Sequence, residues 1–441
     1  MRNSEAERLG TVPSHWRVVR LSVVSDVING FPFDSQYFVQ EGGTPLIRIR
    51  DLHSAQTEVS FSGPIIEEAL VRTGEIIVGM DGDFNVARWR GPTALLNQRM
   101  CCLRPKPLAH AGFIRYAVAQ PLTVIGHLSH STTVKHLSSR QVKRIQLAVP
   151  PLPEQTAIGR FLDHADCRIQ RYILAKERLI ELLEEERQAI IHQAVTGRID
   201  VRTGQPYPAY KDSGVEWLGD VPEHWEVRRL KTFSEMQSGD AITAMSIEET
   251  GEYPVFGGNG IRGYGPRHTH DGDFVLIGRQ GALCGNIHIA RGRFWASEHA
   301  VVAMLRRGDV FEWFSALLEV MNLNQYSIAA AQPGLSVDRV LNLWAPVPPV
   351  EEQSIIAERL GVVTGERRAA ATAAKRQIDL LREYRARLIA DVVTGRLDVR
   401  EVAASLRGVD PLESGDTPCE SDVNTTSDLG APDPAVETAY P

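Results

Sequence analysis

The chain repeats itself, and the repeat leaves few architectures open. The pattern G-x-V-P-x-H-W-x-V-x-x-L spans residues 10–21 and returns at 219–230. A Pro-rich stretch, V-P-P-x-x-E-Q, covers 149–155 and returns at 347–353, and V-T-G-R-[IL]-D-V-R covers 195–202 and returns at 393–400. The last two pairs share one offset of 198 residues, so the segments between them have equal length. Solenoid units run about 20–50 residues and cannot stand alone. A repeat near 200 is instead a domain with its own connector, present twice.

Each copy divides in two. Residues 1–150 show short β-prone runs, such as 45–50 and 74–79, broken by Gly, Pro, Asp and Ser. Residues 201–345 do the same at 253–256 and 273–277. Both read as mixed α/β domains, and between their shared ends the two sequences hardly resemble each other. From 151 to 200 and from 346 to 400 the period becomes helical. Pro151, Pro153 and Glu154 suit a helix start and Gly197 a stop.

A seam stepping by three and four carries Ile158, Leu162, Ile169, Ile180, Leu183 and Ile190 in the first helix. Leu360, Ile378, Leu381, Leu388 and Val392 carry it in the second, with polar Lys176, Arg187 and Arg385 on the same line. Helices of about 40 residues reach roughly 60 Å, more than one small domain can bury. The expected fold is therefore α/β: two domains separated by two long helices that form an antiparallel coiled coil, with a pseudo-two-fold internal repeat. The competing expectation is that each helix packs on its own domain as an ordinary core helix.

Charge is informative through its distribution. The net charge is −7, yet residues 401–441 hold nine acids against Arg407 alone and read as a disordered acidic tail. Residues 1–150 carry 17 Lys/Arg against 12 Asp/Glu, and 201–345 carry 13 against 17, so the first domain is the better electrostatic partner for phosphate. The five cysteines form no C-x-x-C pair and read as reduced thiols. No apolar run approaches a membrane span, and residues 1–9 lack the apolar core of a secretory signal, so the expected location is cytoplasmic without membrane contact.

The duplicated framework resembles that of the specificity subunits of type I restriction-modification systems. The interiors agree: 29–35 with 43–50 resembles one class of target-recognition domain, and 253–264 with 273–281 another. The resemblance covers essentially residues 1–400. It implies that each domain reads one half of a bipartite double-stranded DNA target while the helices set the unread spacer. It also implies two kinds of partner, methyltransferase (modification) subunits and a restriction/translocase subunit. S-adenosylmethionine, ATP and Mg2+ belong to those partners, and no cofactor or metal is expected on this chain. The recognition subunit of a bipartite type II system would share the architecture. A coiled-coil scaffold binding only proteins would explain the helices but not two strand-rich domains.

Base edges are read by Arg on guanine and by Asn or Gln on adenine. In the first domain Arg48, Arg50, Arg88, Arg90, Asn97, Gln98 and Arg99 lie beside expected strands and turns. In the second, Asn259, Arg262, Arg279, Gln280, Arg291 and Arg293 do. Trp16 and Trp225, fixed beside Pro13 and Pro222, suit domain-entry core positions. No catalytic residue is expected. G-x-G-x-x-G at 258–263 runs into Tyr264-Gly265-Pro266 where a helix must begin, and no Gly-Lys pair, H-E-x-x-H or G-x-S-x-G occurs.

Overall fold

The computed structural model describes residues 2–3, 11–82, 84–128, 136–281, 284–306, 308–327 and 334–406. Two compact units emerge, one from residues 1–176 with 376–441, the other from 177–375. Two long helices, Leu152–Val195 and Val350–Val393, each of 44 residues, run through both. Each unit thus owns one α/β domain and half of each helix.

Inside each unit the two helix halves pair antiparallel. In the first, the Asp166 carboxylate accepts from the Arg385 guanidinium. In the second, Arg367 Nη2 donates to Glu186 Oε1 at 2.8 Å. Of the seam residues, Ile158, Leu162, Ile169, Leu360, Ile378, Leu388 and Val392 are buried, while Ile180, Leu183, Ile190 and Leu381 are half-buried. Ile173 and Ile191 are buried as well. Ile191 joins the domain core around Trp225, Phe233 and Trp313. Leu360 of the seam belongs to that same core and Ile190 packs against it, so in the second unit the helices contribute to the domain core as well as to each other, the former being what the competing expectation describes.

The repeated motifs meet at two tryptophans. Trp16 is buried, and its Nε1 donates to Glu154 Oε1 at 3.1 Å at the start of the first long helix. Gly395, which follows the end of the second long helix, is in the left-handed region (φ 71°), and a Cβ there would stand 2.5 Å from Pro13 Cγ and 3.2 Å from the Trp16 ring. The other unit repeats this with Trp225, Glu352 and Gly197: Nε1 donates to Glu352 Oε2 at 3.1 Å, and a Cβ on Gly197 would stand 2.4 Å from Pro222 Cδ. Glycine is needed at both helix ends for conformation and for space. Gln155 Nε2 donates to the Pro150 carbonyl at 2.9 Å, and Gln353 Nε2 to the Pro348 carbonyl at 3.0 Å, which fixes each helix start.

The domain interiors, unlike in sequence, share a topological core, to which the first adds the edge strand Phe38–Val39. The first has a four-stranded antiparallel sheet in the order Val86–Arg88, Ile76–Gly79, Met100–Pro105, Ser25–Asn29. The second repeats it with Ile287–Ala290, Phe274–Gly278, Ala300–Leu305 and Ser234–Ser238. A second sheet pairs Thr44–Ile47 parallel to Ala94–Leu96, and Tyr253–Gly257 parallel to Arg293–Ala296. Unlike side chains thus clothe like backbones, because the buried faces accept any apolar residue of suitable volume.

The stretch read as a disordered tail from Glu401 begins in a short helix, Arg400–Ser405, whose Ala403 is buried, and Arg160 Nη2 donates to the Leu406 carbonyl at 2.9 Å. The rest of that tail, like residues 4–10 and Cys419, lies outside the described residues. Among the described residues no helix is long and apolar enough to cross a membrane, and Cys101, Cys102 and Cys284 are free thiols.

Candidate nucleic-acid interface

Strand register sorts the thirteen polar candidates between the two ends of each domain. Arg88 pairs across from Ile76, the first residue of its neighbouring strand, and Arg90 follows it, so both sit at one end of the four-stranded sheet. Asn97, Gln98 and Arg99 form the turn at the other end, between Ala94–Leu96 and Met100–Pro105. Arg48 and Arg50 join them there, since Asn97 N–H donates to the Ile47 carbonyl at 3.0 Å. In the second domain Arg293 pairs across from Asp271, which leaves Arg291 and Arg293 at the end occupied by Arg88 and Arg90 in the first. Asn259, Arg262, Arg279 and Gln280 gather opposite: Asn259 Oδ1 accepts from Asn286 Nδ2 at 3.2 Å, and Arg262 lies against Gly257.

Several candidates are already engaged. Arg48 Nη2 and Arg50 Nη1 both donate to Glu58 Oε2, at 2.7 and 3.2 Å. Arg88 Nε donates to the Gly74 carbonyl at 3.3 Å. Arg291 and Arg293 pair with Glu312 and Asp271, at 3.1 and 3.3 Å.

At the gathered end the backbone frame is the same in both domains. Met80 N–H donates to the Arg99 carbonyl and Arg279 N–H to the His299 carbonyl, both at 2.9 Å. Leu137 N–H then donates to the Met80 carbonyl at 2.7 Å, and Leu335 N–H to the Arg279 carbonyl at 2.9 Å. Beneath them Gly30 and Gly239 run so close to the turn that a Cβ would fall 1.8 Å from the Asn97 carbonyl oxygen and 2.3 Å from that of Ser297. Three segments therefore converge in each domain: a strand-ending loop (80–82 or 279–281), a turn (97–99 or 297–299) and an extended piece (136–138 or 334–336).

The side chains on this frame differ. In the first domain Asp81 accepts from Arg99 Nη1 through Oδ2 and meets His136 Nδ1 through Oδ1, both at 2.7 Å. Burial alone would push the Asp81 carboxyl up, but the bonds from His136 and Arg99 outweigh it and hold the group below its ordinary range. In the second domain Gln280 Oε1 lies 3.1 Å from His299 Nδ1, and Arg279 Nη1 donates to Ser238 Oγ at 3.0 Å. Arg279 and Gln280 line a cleft of about 460 Å³ floored by residues 334–338. Asp81, His136 and His299 escaped the sequence reading because they join the cluster only through tertiary structure, 55 residues separating Asp81 from His136. The Asp81-Gly82 and Gln280-Gly281 pairs, each after an apolar run, were the local signal available.

Comparison with known proteins places this arrangement. The family described as the type I restriction modification DNA specificity domain matches residues 13–181 and 222–374, once for each copy. The EcoBI type I restriction enzyme specificity subunit of Escherichia coli is 30% identical over 381 residues, covering 79% of each chain. The EcoprrI specificity subunit of Escherichia coli is 44% identical over 155 residues, which span 34% of this chain and 38% of that one. A chain from a solved structure concerned with complex assembly and conformational transition of the type I R-M system shares the fold with a TM-score of 0.67 at 16% identity, covering 88% of this chain and all of that one.

Proposed function

The chain belongs to the family of type I restriction-modification DNA specificity domains, and on that footing we propose that it is the subunit that reads a bipartite DNA target and presents it to catalytic partners. It is the non-catalytic component of such a complex. The observation that carries the reading is the doubling: one backbone frame, two different sets of donors and acceptors, and two connecting helices of identical length. A single reader or a protein-only scaffold requires none of this. Relatives named as type I subunits favour that system over a bipartite type II one.

The partners are modification subunits, which supply S-adenosylmethionine-dependent methylation, and a restriction subunit, which uses ATP and Mg2+. The setting is the cytoplasm, where these substrates and reduced thiols are found together. The helices fix how many base pairs separate the half-sites, because half-sites recur with the roughly 34 Å turn of the duplex.

Reconstituting the chain with its modification subunits and sequencing methylated adenines in a random DNA library tests the proposal. Two short half-sites around an unread spacer are expected. Inserting one heptad into each long helix changes the spacer and leaves both half-sites intact. Methylation by the purified chain without added subunits overturns the adaptor role.

A further inference from the structure

We propose that the converging turns are the base-reading site of each domain, with Arg99 held by Asp81 to read a guanine in one half-site and Gln280 steadied by His299 to read an adenine in the other. The inference rests on the DNA-reading role proposed above and names the atoms that perform it.

The shared frame makes the first part of the case. Two domains that read different sequences need a common placement on the duplex and different chemistry at the point of contact. Residues 81 and 280, and 99 and 299, occupy matched places, as the repeated Met80-to-Arg99 and Arg279-to-His299 backbone bonds show. Gly82 and Gly281 follow in the left-handed region, φ 75° and 84°, with nothing among the described residues within 4 Å of a would-be Cβ. Lacking a side chain, a glycine at each of these places lets a large ligand approach the backbone closely.

The side-chain chemistry makes the second part. Arg99 is 67% exposed while its anchor Asp81 is 15% exposed, so the charged head is free on its outer side and fixed on its inner side. One guanidinium nitrogen is committed to the carboxylate, and the remaining donors can make two parallel bonds to guanine O6 and N7. A phosphate is a poor partner for the same pair, because the Asp81 carboxylate lies 2.7 Å from the guanidinium nitrogen and repels a second anion. Gln280 offers the acceptor and donor that adenine N6 and N7 require, and its carbonyl oxygen keeps a second lone pair after meeting His299. The other arginines at this end do not have this form: Arg48 and Arg50 share the exposed carboxylate of Glu58, and Arg48 is itself only 18% exposed.

The test uses the full chain reconstituted with its modification subunits and reads the methylated motif. The swap Asp81→Gln with Arg99→His is expected to change one or two adjacent positions of one half-site and leave the spacer and the other half-site as in wild type. The reciprocal swap, Gln280→Asp with His299→Arg, alters only that other half-site. Should the double swaps assemble poorly, Arg99→Gln alone removes the exposed head together with its bond to Asp81 and leaves the core untouched. It is expected to lower discrimination against the wrong base at one position by roughly tenfold to a hundredfold. Active variants with an unchanged motif overturn the inference, as does a loss equal on every sequence, which marks a phosphate contact. A wild-type complex that yields no bipartite motif overturns the proposed function instead, so the two failures are distinguishable.

Discussion

The two units close on their entry tryptophans in the same way but with different strength. Around Trp16, the Glu154 carboxylate takes the indole N–H and His15 Nε2, at 3.1 and 2.9 Å. Around Trp225, Glu352 takes the same two partners from Trp225 and His224 and also accepts from the Tyr207 hydroxyl. Tyr207 is buried against the Trp225 ring, with centroids 5.9 Å apart. The domains differ in the opposite sense. The first carries an ion pair between Glu75 and Arg104 along its central sheet, where strand register puts Phe274 and Met304 in the second. The first unit thus carries a charged pair at a place the second fills with apolar side chains, and the second is the more tightly latched at its tryptophan.

The largest effects should come from the tryptophans. Replacing Trp225 with alanine removes a fully buried ring and costs about 3–5 kcal/mol, concentrated in residues 177–375 when amide hydrogen exchange is followed. Trp16→Ala does the same to the other unit. Exchange that rises evenly across the chain after either change breaks the picture of two separable units.

Glutamate removal sharpens the comparison. Glu352→Ala strands the Trp225 and Tyr207 donors in a buried setting and should cost about 3 kcal/mol, against about 1.5 kcal/mol for Glu154→Ala. Chemical denaturation curves report the gap, and equal losses contradict the stronger latch.

Acid separates the units more gently. Burial alone would raise the Glu75 carboxyl, but the Arg104 bond, the Arg72 N–H and the Cys102 thiol together hold it below the ordinary 4.5. Its stabilisation is thus complete above the unfolded value and lost as pH falls through the lower folded one. The unit containing residues 1–176 should lose protection in that window, and Glu75→Gln should flatten the response. The smallest effect concerns thiols. Burial pushes the Cys101 thiol up to about 12, so a thiol-specific reagent at pH 8 should leave it unmodified in the native protein and react after unfolding.

Much of this arrangement was legible beforehand, for identifiable reasons. Motifs such as V-T-G-R recur because a helix stop needs a left-handed glycine against a proline and an indole, and such a demand admits few residues. The seam from Ile158 to Ile190 was visible as a period, whereas the share of Ile191 and Leu360 in a domain core was not, since a helical period does not say which neighbour a buried side chain meets. The common topology of the domains stayed hidden because sheet order is set by register between distant strands, which apolar runs at 76–79 and 274–278 do not encode. Arg99 and Gln280 stood out by type alone. Their partners Asp81 and His299 became visible only when the backbone brought the turns together.

The glycines at 30 and 239 bear on how such a protein diversifies. They hold the turns above them in place from below, so the exposed residues at 99 and 280 contribute little to packing and can drift without unfolding the domain. A combinatorial library that randomises 81, 99, 280 and 299 while keeping both glycines fixed should consist mostly of folded proteins, and one that varies the glycines should not.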